Sequence, residues 1–348
     1  MRTSTRLKSV VLGVALLLIA PAVVAQVSWG ETITIVEHDA GWARMARLPD
    51  GRWLAVTTHF HKDRPTTLAI SIGDARARNW RPWSMVAEPG RMIDNGELFV
   101  MPDGRILLGM RSLIDGKSYR LNLYASDDQA RSFQFLSTID ANEAPAGRND
   151  RGVWEPVLTL LEDGSLSVLY ADETLADGAP SYNQVVSQRL SSDGGKTWQA
   201  KQAIVKQAGG GHLRPGMPVM ARLKDGRYLL VFETCGDDKH CPVSFKVSAD
   251  GRSWPEGLGI LLPDQRCGPQ IMTTTQGRTF VTSCQNEVSW TDDAGEHWQR
   301  IAEPAWPFGF RHSWPAIYQT GTHEIGVINI DMGSARVRFG RMDPAATP

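Results

Sequence analysis

Two glutamates of the sequence stand in apolar settings that favour acid–base chemistry. Glu155 lies between Trp154 and Pro156, and Glu233 ends an apolar run. A carboxyl group beside such side chains loses hydration, so its pKa can rise to the value that a general acid needs. Two carboxyl groups that converge on one bond are the usual apparatus of glycoside hydrolysis. The alternative is that each glutamate only forms an ion pair with an arginine such as Arg111.

Further polar and aromatic residues are candidates for contacting a substrate beside these glutamates. They fall where the strand pattern predicts the start of a first strand, the end of a second strand or the start of a third strand within a repeat. The set consists of Arg44, Asn95, Arg111, Trp154, Glu173, Gln184, Arg214, Gln270 and His312. For Arg44, Arg111 and His312 an alternative stays open, in which each pairs with an acidic group at the rim of a channel.

The elements that must position these residues contain a recurring turn of eight residues. In its clearest copy, Ser191–Trp198, Asp193 can accept backbone N–H groups, and Gly194 and Gly195 supply positive φ. Looser copies are Ser126–Phe133 and Thr291–Trp298, a shorter copy is Ser248–Trp254, and a degenerate copy ends at Trp80. Recurrence of such a turn predicts a chain built from repeated β-hairpins.

A second turn, Asp-Gly between two apolar runs, recurs with a similar period. Copies lie at 50–51, 103–104, 163–164 and 225–226, with weaker versions at Gln276-Gly277 and Thr320-Gly321. Their glycines are 53, 60, 62, 51 and 44 residues apart, which suits a four-stranded propeller blade with its loops. The sequence therefore predicts an all-β fold, a six-bladed β-propeller of four-stranded antiparallel blades. Either Thr32–Glu37 or Arg336–Met342 is expected to complete a blade and close the ring.

The order of the turns decides which residues share one end of this propeller. In an up-and-down blade, the turn between the first two strands and the turn between the last two lie on the same face. The two kinds of recurring turn therefore share a structural face, and the candidate site residues lie on the opposite one, where loops converge on the central channel. Because Glu155 and Glu233 belong to adjacent blades, we expect their side chains to converge there.

Both sets of features carry a resemblance to known families. The turn pattern Ser-x-Asp-x-Gly-x-Thr-Trp resembles the Asp box of the sialidase-type β-propellers. Segments 152–157, 169–173, 214–218, 231–233 and 267–270, together with the combination of Asn95 and Arg111, are similar to motifs of glycoside hydrolase family 93, the exo-α-1,5-L-arabinanases.

The resemblance covers nearly all of the chain beyond residue 25. It implies a retaining, exo-acting hydrolase of carbohydrate that needs no cofactor or metal, with Glu155 and Glu233 as the catalytic pair. The roles of the two stay open, although the drier setting of Glu155 favours it as the acid/base.

Two other functions remain open at this point. An exo-sialidase of the same superfamily would use Arg44, Arg214 and Arg311 for the substrate carboxylate, but the tyrosine nucleophile expected at the start of the last blade is missing. Tyr318 lies further along that strand. Asp-box propellers also include proteins that only bind carbohydrate or protein, since fold alone proves no activity. A binding protein would not need two carboxylates at one channel mouth.

The start of the chain predicts export. Arg2, Arg6 and Lys8 precede the apolar run Val10–Ala20, and small residues follow up to Ala25. We therefore expect residues 1–25 to be a signal peptide and 26–348 to be a single propeller domain, secreted or periplasmic and free of the membrane after cleavage. This leader holds three of the 37 basic and none of the 38 acidic residues, so the remainder has a net charge of −4. That charge disfavours a nucleic-acid partner, and it leaves the oligomeric state open.

Four cysteines lie in the part of the chain that we expect to be exported, where disulfides form readily. Cys267 and Cys284 flank the Gln276-Gly277 turn almost symmetrically, so they are placed to face each other across a hairpin, while Cys235 and Cys241 would close a short loop. The rival interpretation is a metal site formed by Cys235, Cys241 and His240, which lacks a fourth ligand at zinc-like spacing.

Overall fold

The computed structural model consists of six four-stranded β-sheets arranged as a β-propeller. It describes residues 27–143, 151–175, 183–209, 211–236, 240–307 and 314–342. These described residues include no helix, and so none that is long and apolar enough to cross a membrane. The predicted fold class is confirmed.

Every blade is antiparallel, and its strands are numbered here in chain order. Blade 1 contains β2 (Ala40–Arg47), β3 (Trp53–His59), β4 (Thr67–Gly73) and β5 (Arg81–Val86). Blade 2 contains β6 (Met92–Val100), β7 (Ile106–Ile114), β8 (Ser118–Ser126) and β9 (Gln134–Asn142). Blade 3 contains β10 (Val153–Leu160), β11 (Leu166–Asp172), β12 (Val185–Ser191) and β13 (Gln202–Val205).

The other three blades complete the circle. Blade 4 contains β14 (Arg214–Arg222), β15 (Tyr228–Cys235), β16 (Pro242–Ser248) and β17 (Ile260–Arg266). Blade 5 contains β18 (Gln270–Thr273), β19 (Thr279–Thr282), β20 (Val288–Thr291) and β21 (Gln299–Arg300). Blade 6 contains β22 (Ala316–Gly321), β23 (Glu324–Asp331), β24 (Ser334–Met342) and β1 (Val27–Val36). The first strands of neighbouring blades contact one another, so they form the innermost layer around the channel.

The ring closes through blade 6, which combines both ends of the described chain. β1 is its outermost strand and pairs with β24, with Val27 opposite Met342 and Ile33 opposite Val337. The sequence predicted that one of these two segments would complete a blade, and the structure uses both. This pairing covers the edge that β24 would otherwise expose.

Both kinds of recurring turn form the bonds that their residues predict. In the clearest Asp box, Asp193 Oδ1 accepts the backbone N–H groups of Lys196 and Thr197, both at 3.0 Å, and Oδ2 accepts from the Thr197 hydroxyl at 2.6 Å. In the first Asp-Gly turn, Asp50 Oδ1 accepts the Arg52 N–H at 3.0 Å. Gly51 there has a φ of 89°, a value that favours glycine.

One predicted turn is displaced in the structure. Thr320 and Gly321 belong to strand β22, and Gly321 pairs with Glu324, so the turn consists of Thr322 and His323. This last repeat lacks an aspartate before its glycine, and with it the side-chain acceptor that fixes the turn in blades 1 to 4.

The hydrophobic core is divided into six clusters, each lying between two neighbouring blades. Between blades 3 and 4, for example, Leu169 and Val186 pack with Leu230 and Phe232. Between blades 6 and 1, Ile328 and Val337 pack with Met45 and Ala55. Every blade is therefore apolar on both faces, which leaves the ends of the strands and the loops to carry the polar site.

Candidate active site

A β-bulge recurs at the same place in the first strands of blades 1 to 4. The bulge residues are Trp42, Asn95, Glu155 and Met217, with φ between 43° and 49°, and the strand register shifts at each of them. Positive φ is uncommon for residues other than glycine, and bulges often re-aim a side chain beside a functional site. The bulge thus changes the direction of one side chain on the innermost strand of each of blades 1 to 4, and one of these side chains is Glu155.

Glu155 and Glu233 line one small cavity of about 150 Å³. Its walls are formed by Trp154, Glu155, Gln184, Arg214, Met217, Glu233 and Cys235, which come from blades 3 and 4. The first strand of blade 3 supplies Glu155 and the second strand of blade 4 supplies Glu233. The structure therefore brings both carboxyl groups to the same end of the channel.

The two carboxyl groups have different surroundings. The pKa of Glu155 is raised to about 7, chiefly by burial; Arg111 lowers it, and the charges of Glu233, Asp94 and Glu173 add to the rise. Burial also raises the pKa of Glu233, but here the Gly268 N–H donates to Oε2 at 2.7 Å and Arg214 adds positive charge, both of which favour the ionised form. Glu155 is thus the better proton donor, and Glu233 is the better-stabilised carboxylate.

The segment that holds Glu233 is fixed by two disulfides. Cys235 is bonded to Cys241, and Cys267 to Cys284, as their spacing in the sequence predicts. The two bridges are joined through the main chain, because Cys267 N–H donates to the Cys241 carbonyl at 2.8 Å. Since Gly268 follows Cys267 directly, this pair of bridges fixes the amide that binds Glu233.

The proposed metal site of Cys235, Cys241 and His240 does not form. The Sγ atoms of Cys235 and Cys241 do lie within 4.8 Å of the Glu233 carboxylate. They are bonded to each other, however, so neither can supply the thiolate that a zinc ion requires.

Several predicted substrate-binding residues pair with one another around the cavity. Arg214 Nη2 donates to Glu173 Oε1 at 2.6 Å and to Gln184 Oε1 at 2.8 Å. Gln184 in turn donates to the Pro215 carbonyl at 3.0 Å, and Glu173 accepts the Gly152 N–H at 2.6 Å. This network holds Arg214 and Gln184 in the cavity wall.

Arg111 belongs to a second pair on blade 2. It binds Asp94 through two hydrogen bonds, one of them 2.6 Å from Nε to Oδ1, and its guanidinium lies 4.7 Å from the ring centre of Trp154. The sequence associated Arg111 with Asn95, whereas the structure pairs it with the preceding residue, Asp94, because the bulge turns Asn95 away from the strand register.

The remaining candidates are distributed unevenly. Asn95 is a buried bulge residue, and Gln270 is buried at the start of β18, where its Oε1 accepts the Ile271 N–H at 3.1 Å. Arg44 is only 2% exposed and donates from Nη1 to the Trp314 carbonyl at 3.0 Å. His312 and Arg311 lie outside the described residues.

Sequence reasoning missed one acidic residue near Arg44. Glu97 Oε2 lies 3.8 Å from Arg44 Nε, and burial raises the pKa of Glu97 to about 7 against the charge of Arg44. Glu97 stands two residues after the bulge at Asn95, just as Arg44 stands two residues after the bulge at Trp42. Aligning the first strands of the blades by their bulge residues would have revealed Glu97 as the counterpart of Arg44.

Two tyrosines that a sialidase could use are engaged in the scaffold. The Tyr318 hydroxyl accepts the Met45 N–H at 2.9 Å, and its ring packs edge-on against Trp53. The Tyr170 hydroxyl donates to Asp140 Oδ2 at 2.7 Å, and the residue is fully buried. Tyr182 lies outside the described residues.

Comparison with solved structures gives the relatives of this fold. The chain is similar to an alpha-L-arabinanase of Penicillium chrysogenum complexed with arabinobiose, with a TM-score of 0.78 and 23% identity over 92% of this chain and 100% of that one. It is also similar to the GH93 alpha-L-arabinofuranosidase of Fusarium graminearum with arabinobiose, with a TM-score of 0.74 and 18% identity over 90% and 98% of the two chains.

Sialidases share the architecture at lower similarity. The NanB sialidase of Streptococcus pneumoniae matches with a TM-score of 0.60 and 11% identity, over 91% of this chain and 70% of that one. No protein-family model and no curated protein matches the sequence. The fold is thus that of the sialidase-type six-bladed propellers, with greater similarity to these two fungal enzymes than to this sialidase.

Proposed function

We propose that this protein is an exported glycoside hydrolase that removes short arabino-oligosaccharides from chain ends, with retention of configuration. The observation that carries the proposal is the cavity shared by Glu155 and Glu233, in which burial raises the pKa of both carboxyl groups while the Gly268 N–H and Arg214 oppose that rise at Glu233. Glycoside hydrolysis needs such a pair, one carboxyl to donate a proton and one carboxylate to attack or to stabilise charge.

The surroundings of the two glutamates support one assignment of the roles. Glu155, which is protonated up to a pH of about 7, donates its proton to the leaving oxygen. Glu233, whose carboxylate accepts the Gly268 N–H and is near the positive charge of Arg214, attacks the anomeric carbon and forms a glycosyl ester. Glu155, now ionised, takes a proton from water, and the resulting hydroxide releases the sugar with its original configuration.

The choice of sugar is supported by the comparisons and by the site. Both fungal relatives were solved with arabinobiose, although at these identities the likeness itself concerns only the fold. A sialidase also needs a free tyrosine nucleophile, and the hydroxyls of Tyr170 and Tyr318 are bound within the scaffold. An arabinan-type substrate therefore fits the described residues better than a sialoside.

A product assay tests the proposal. Purified protein is incubated with debranched arabinan, an aryl α-L-arabinoside and a sialyl-lactose, and products are followed by chromatography and by proton NMR of the first anomer formed. We expect short arabino-oligosaccharides of one length from the outset, released as the α-anomer. Initial release of the β-anomer would contradict retention, and release of sialic acid or products of mixed length would contradict the substrate assignment.

A further inference from the structure

Arg44 has an unused hydrogen-bond donor on the innermost strand of blade 1. Its guanidinium is 2% exposed and lies 4.1 Å from the ring centre of Trp42, and Nη1 donates to the carbonyls of Ala43 and Trp314. The buried Nε has no hydrogen-bond partner. A buried N–H without a partner is unfavourable, so a group that it could bind is expected beside it.

Glu97 provides a matching unused acceptor. Its side chain is 16% exposed, and its nearest charged neighbour is the Arg44 Nε at 3.8 Å, which is too long for a hydrogen bond. Among the described residues, the Glu97 carboxyl accepts no hydrogen bond. An unused donor and an unused acceptor thus lie 3.8 Å apart, and neither satisfies the other.

This pair lies beside the two catalytic candidates. The first strands of blades 1, 2 and 3, which carry Arg44, Glu97 and Glu155, pack side by side around the channel. On the other side, the indole of Trp314 covers Gly268, where an added Cβ would lie 2.2 Å from Trp314 Cδ1. The carbonyl of Trp314 binds Arg44 and its ring packs against Gly268, whose N–H binds Glu233, so Trp314 connects the pair to the cavity.

We propose that Arg44 and Glu97 form a clamp for the hydroxyl groups of the terminal sugar unit, and that Glu97 is a specificity-determining residue. This inference rests on the proposed function for the identity of the sugar. A hydroxyl group can accept from Arg44 Nε and donate to the Glu97 carboxyl at the same time, which is what two facing unused groups require. A neighbouring pair of hydroxyls can divide these two bonds between them.

The same geometry explains a preference for neutral sugars. Arg44 alone would suit a carboxylate, as in a sialoside, because an arginine fork binds carboxylates well. The Glu97 carboxyl would lie against a substrate carboxylate bound to Arg44 and would disfavour it. The same Glu97 carboxyl can accept a hydrogen bond from a sugar hydroxyl. Specificity here comes from an unfavourable contact as well as a favourable one.

The test measures whether Glu97 and a sugar hydroxyl depend on each other. Binding of methyl α-L-arabinofuranoside, its 2-deoxy and 3-deoxy forms, and arabinobiose is measured by calorimetry on the wild type, Glu97→Gln and Glu97→Ala. Kinetics on an aryl α-L-arabinoside are measured in parallel. The matched control is Asp292→Asn, which breaks the ion pair of buried Arg278 at the opposite face.

We expect Glu97→Ala to weaken sugar binding by about 10- to 100-fold, the effect of losing a hydrogen bond to a charged group. One of the two deoxy sugars should bind the wild type about as weakly as the parent sugar binds Glu97→Ala. The same deoxy sugar should bind Glu97→Ala no more weakly than the parent sugar does. Glu97→Gln, which keeps an acceptor, should recover part of the affinity, and Asp292→Asn should bind normally.

The outcomes separate this inference from the proposed function. Coupled losses in binding without any hydrolysis of arabinosides would support the clamp and contradict the enzyme assignment. Hydrolysis of arabinosides with full affinity in a folded Glu97→Ala protein, or deoxy effects that are the same in all variants, would overturn the clamp alone. Failure of the wild type to bind any of these sugars would overturn it as well.

Discussion

At the scale of single residues, the site depends on two glutamates that share a cavity but not an environment. Glu155 is enclosed beside Arg111 and near three other acidic groups, whereas Glu233 receives an N–H and faces Arg214. Burial acts on both, so the difference comes from their partners. The sequence showed the apolar neighbours of both glutamates, but the Gly268 amide comes from the connection between blades 4 and 5, distant in sequence from Glu233, and could not be foreseen.

The first prediction concerns the roles of this pair. Glu155→Ala should lower kcat by about 10²- to 10⁴-fold on natural substrate, because proton donation is lost. Glu233→Ala should lower it at least as much, because the covalent route is lost. With an activated aryl arabinoside, azide should restore turnover in both, giving the α-azide with Glu155→Ala and the β-azide with Glu233→Ala. Full activity of either variant would end the assignment.

The pH dependence follows from the raised pKa of Glu155. As an acid it must be protonated, so activity should fall as pH rises above about 7, and Glu155→Gln should lack that alkaline limb.

Stability changes in the same window, because a group whose pKa is raised on folding stabilises the protein below its unfolded pKa and loses this effect as pH rises through 7. Replacement by Gln should therefore raise Tm by a few degrees at pH 8 and little at pH 4, as thermal melts of both proteins at the two pH values would show.

At the scale of elements, local motifs were predictable and register was not. The Asp boxes and Asp-Gly turns have the structure predicted from the sequence, because their hydrogen bonds join residues only a few positions apart, as in the contacts of Asp193. The bulges at Asn95 and Glu155 depend on pairing with a neighbouring strand. One inserted residue changes which side chains share a face, which is why Arg111 was assigned to Asn95 and Glu97 was missed.

The element that positions Glu233 gives a further prediction. Replacing Cys267 and Cys284 together by alanine should loosen the Gly268 amide and so weaken its hydrogen bond to Glu233. Because that bond lowers the pKa of Glu233, the acidic limb of the kcat profile should move to higher pH and kcat should fall, with KM nearly unchanged. A lower Tm with an unmoved pH profile would show that the bridge is only structural. The control is Asp292→Asn at the opposite face, which should leave the pH profile unmoved.

At the scale of the whole molecule, ring closure and the site depend on the same interface. Blade 6 is completed by β1, and blade 6 also supports the Arg44 strand of blade 1. Tyr318 accepts the Met45 N–H, the Trp314 carbonyl accepts from Arg44, and Ala40 N–H donates to Gly333. A ring opened at β1 should therefore disturb the sugar clamp before the catalytic pair, which blades 3 and 4 carry.

The last prediction removes this closing strand. A chain that starts at Glu37 lacks β1, with the buried Val27 and Ile35 and the ladder to β24. Each buried side chain contributes about 1.5–3 kcal/mol, so with the lost hydrogen bonds Tm should fall by about 10 °C or more. The exposed edge of β24 should also promote association, visible by light scattering. A synthetic peptide of residues 27–36 should restore the Tm, the monomeric state and the normal KM of the shortened chain. A peptide of scrambled sequence should not, because closure requires the pairing of Ile33 with Val337. If the shortened chain melted like the full one and kept its KM, closure by β1 would have no part in stability or in holding the clamp.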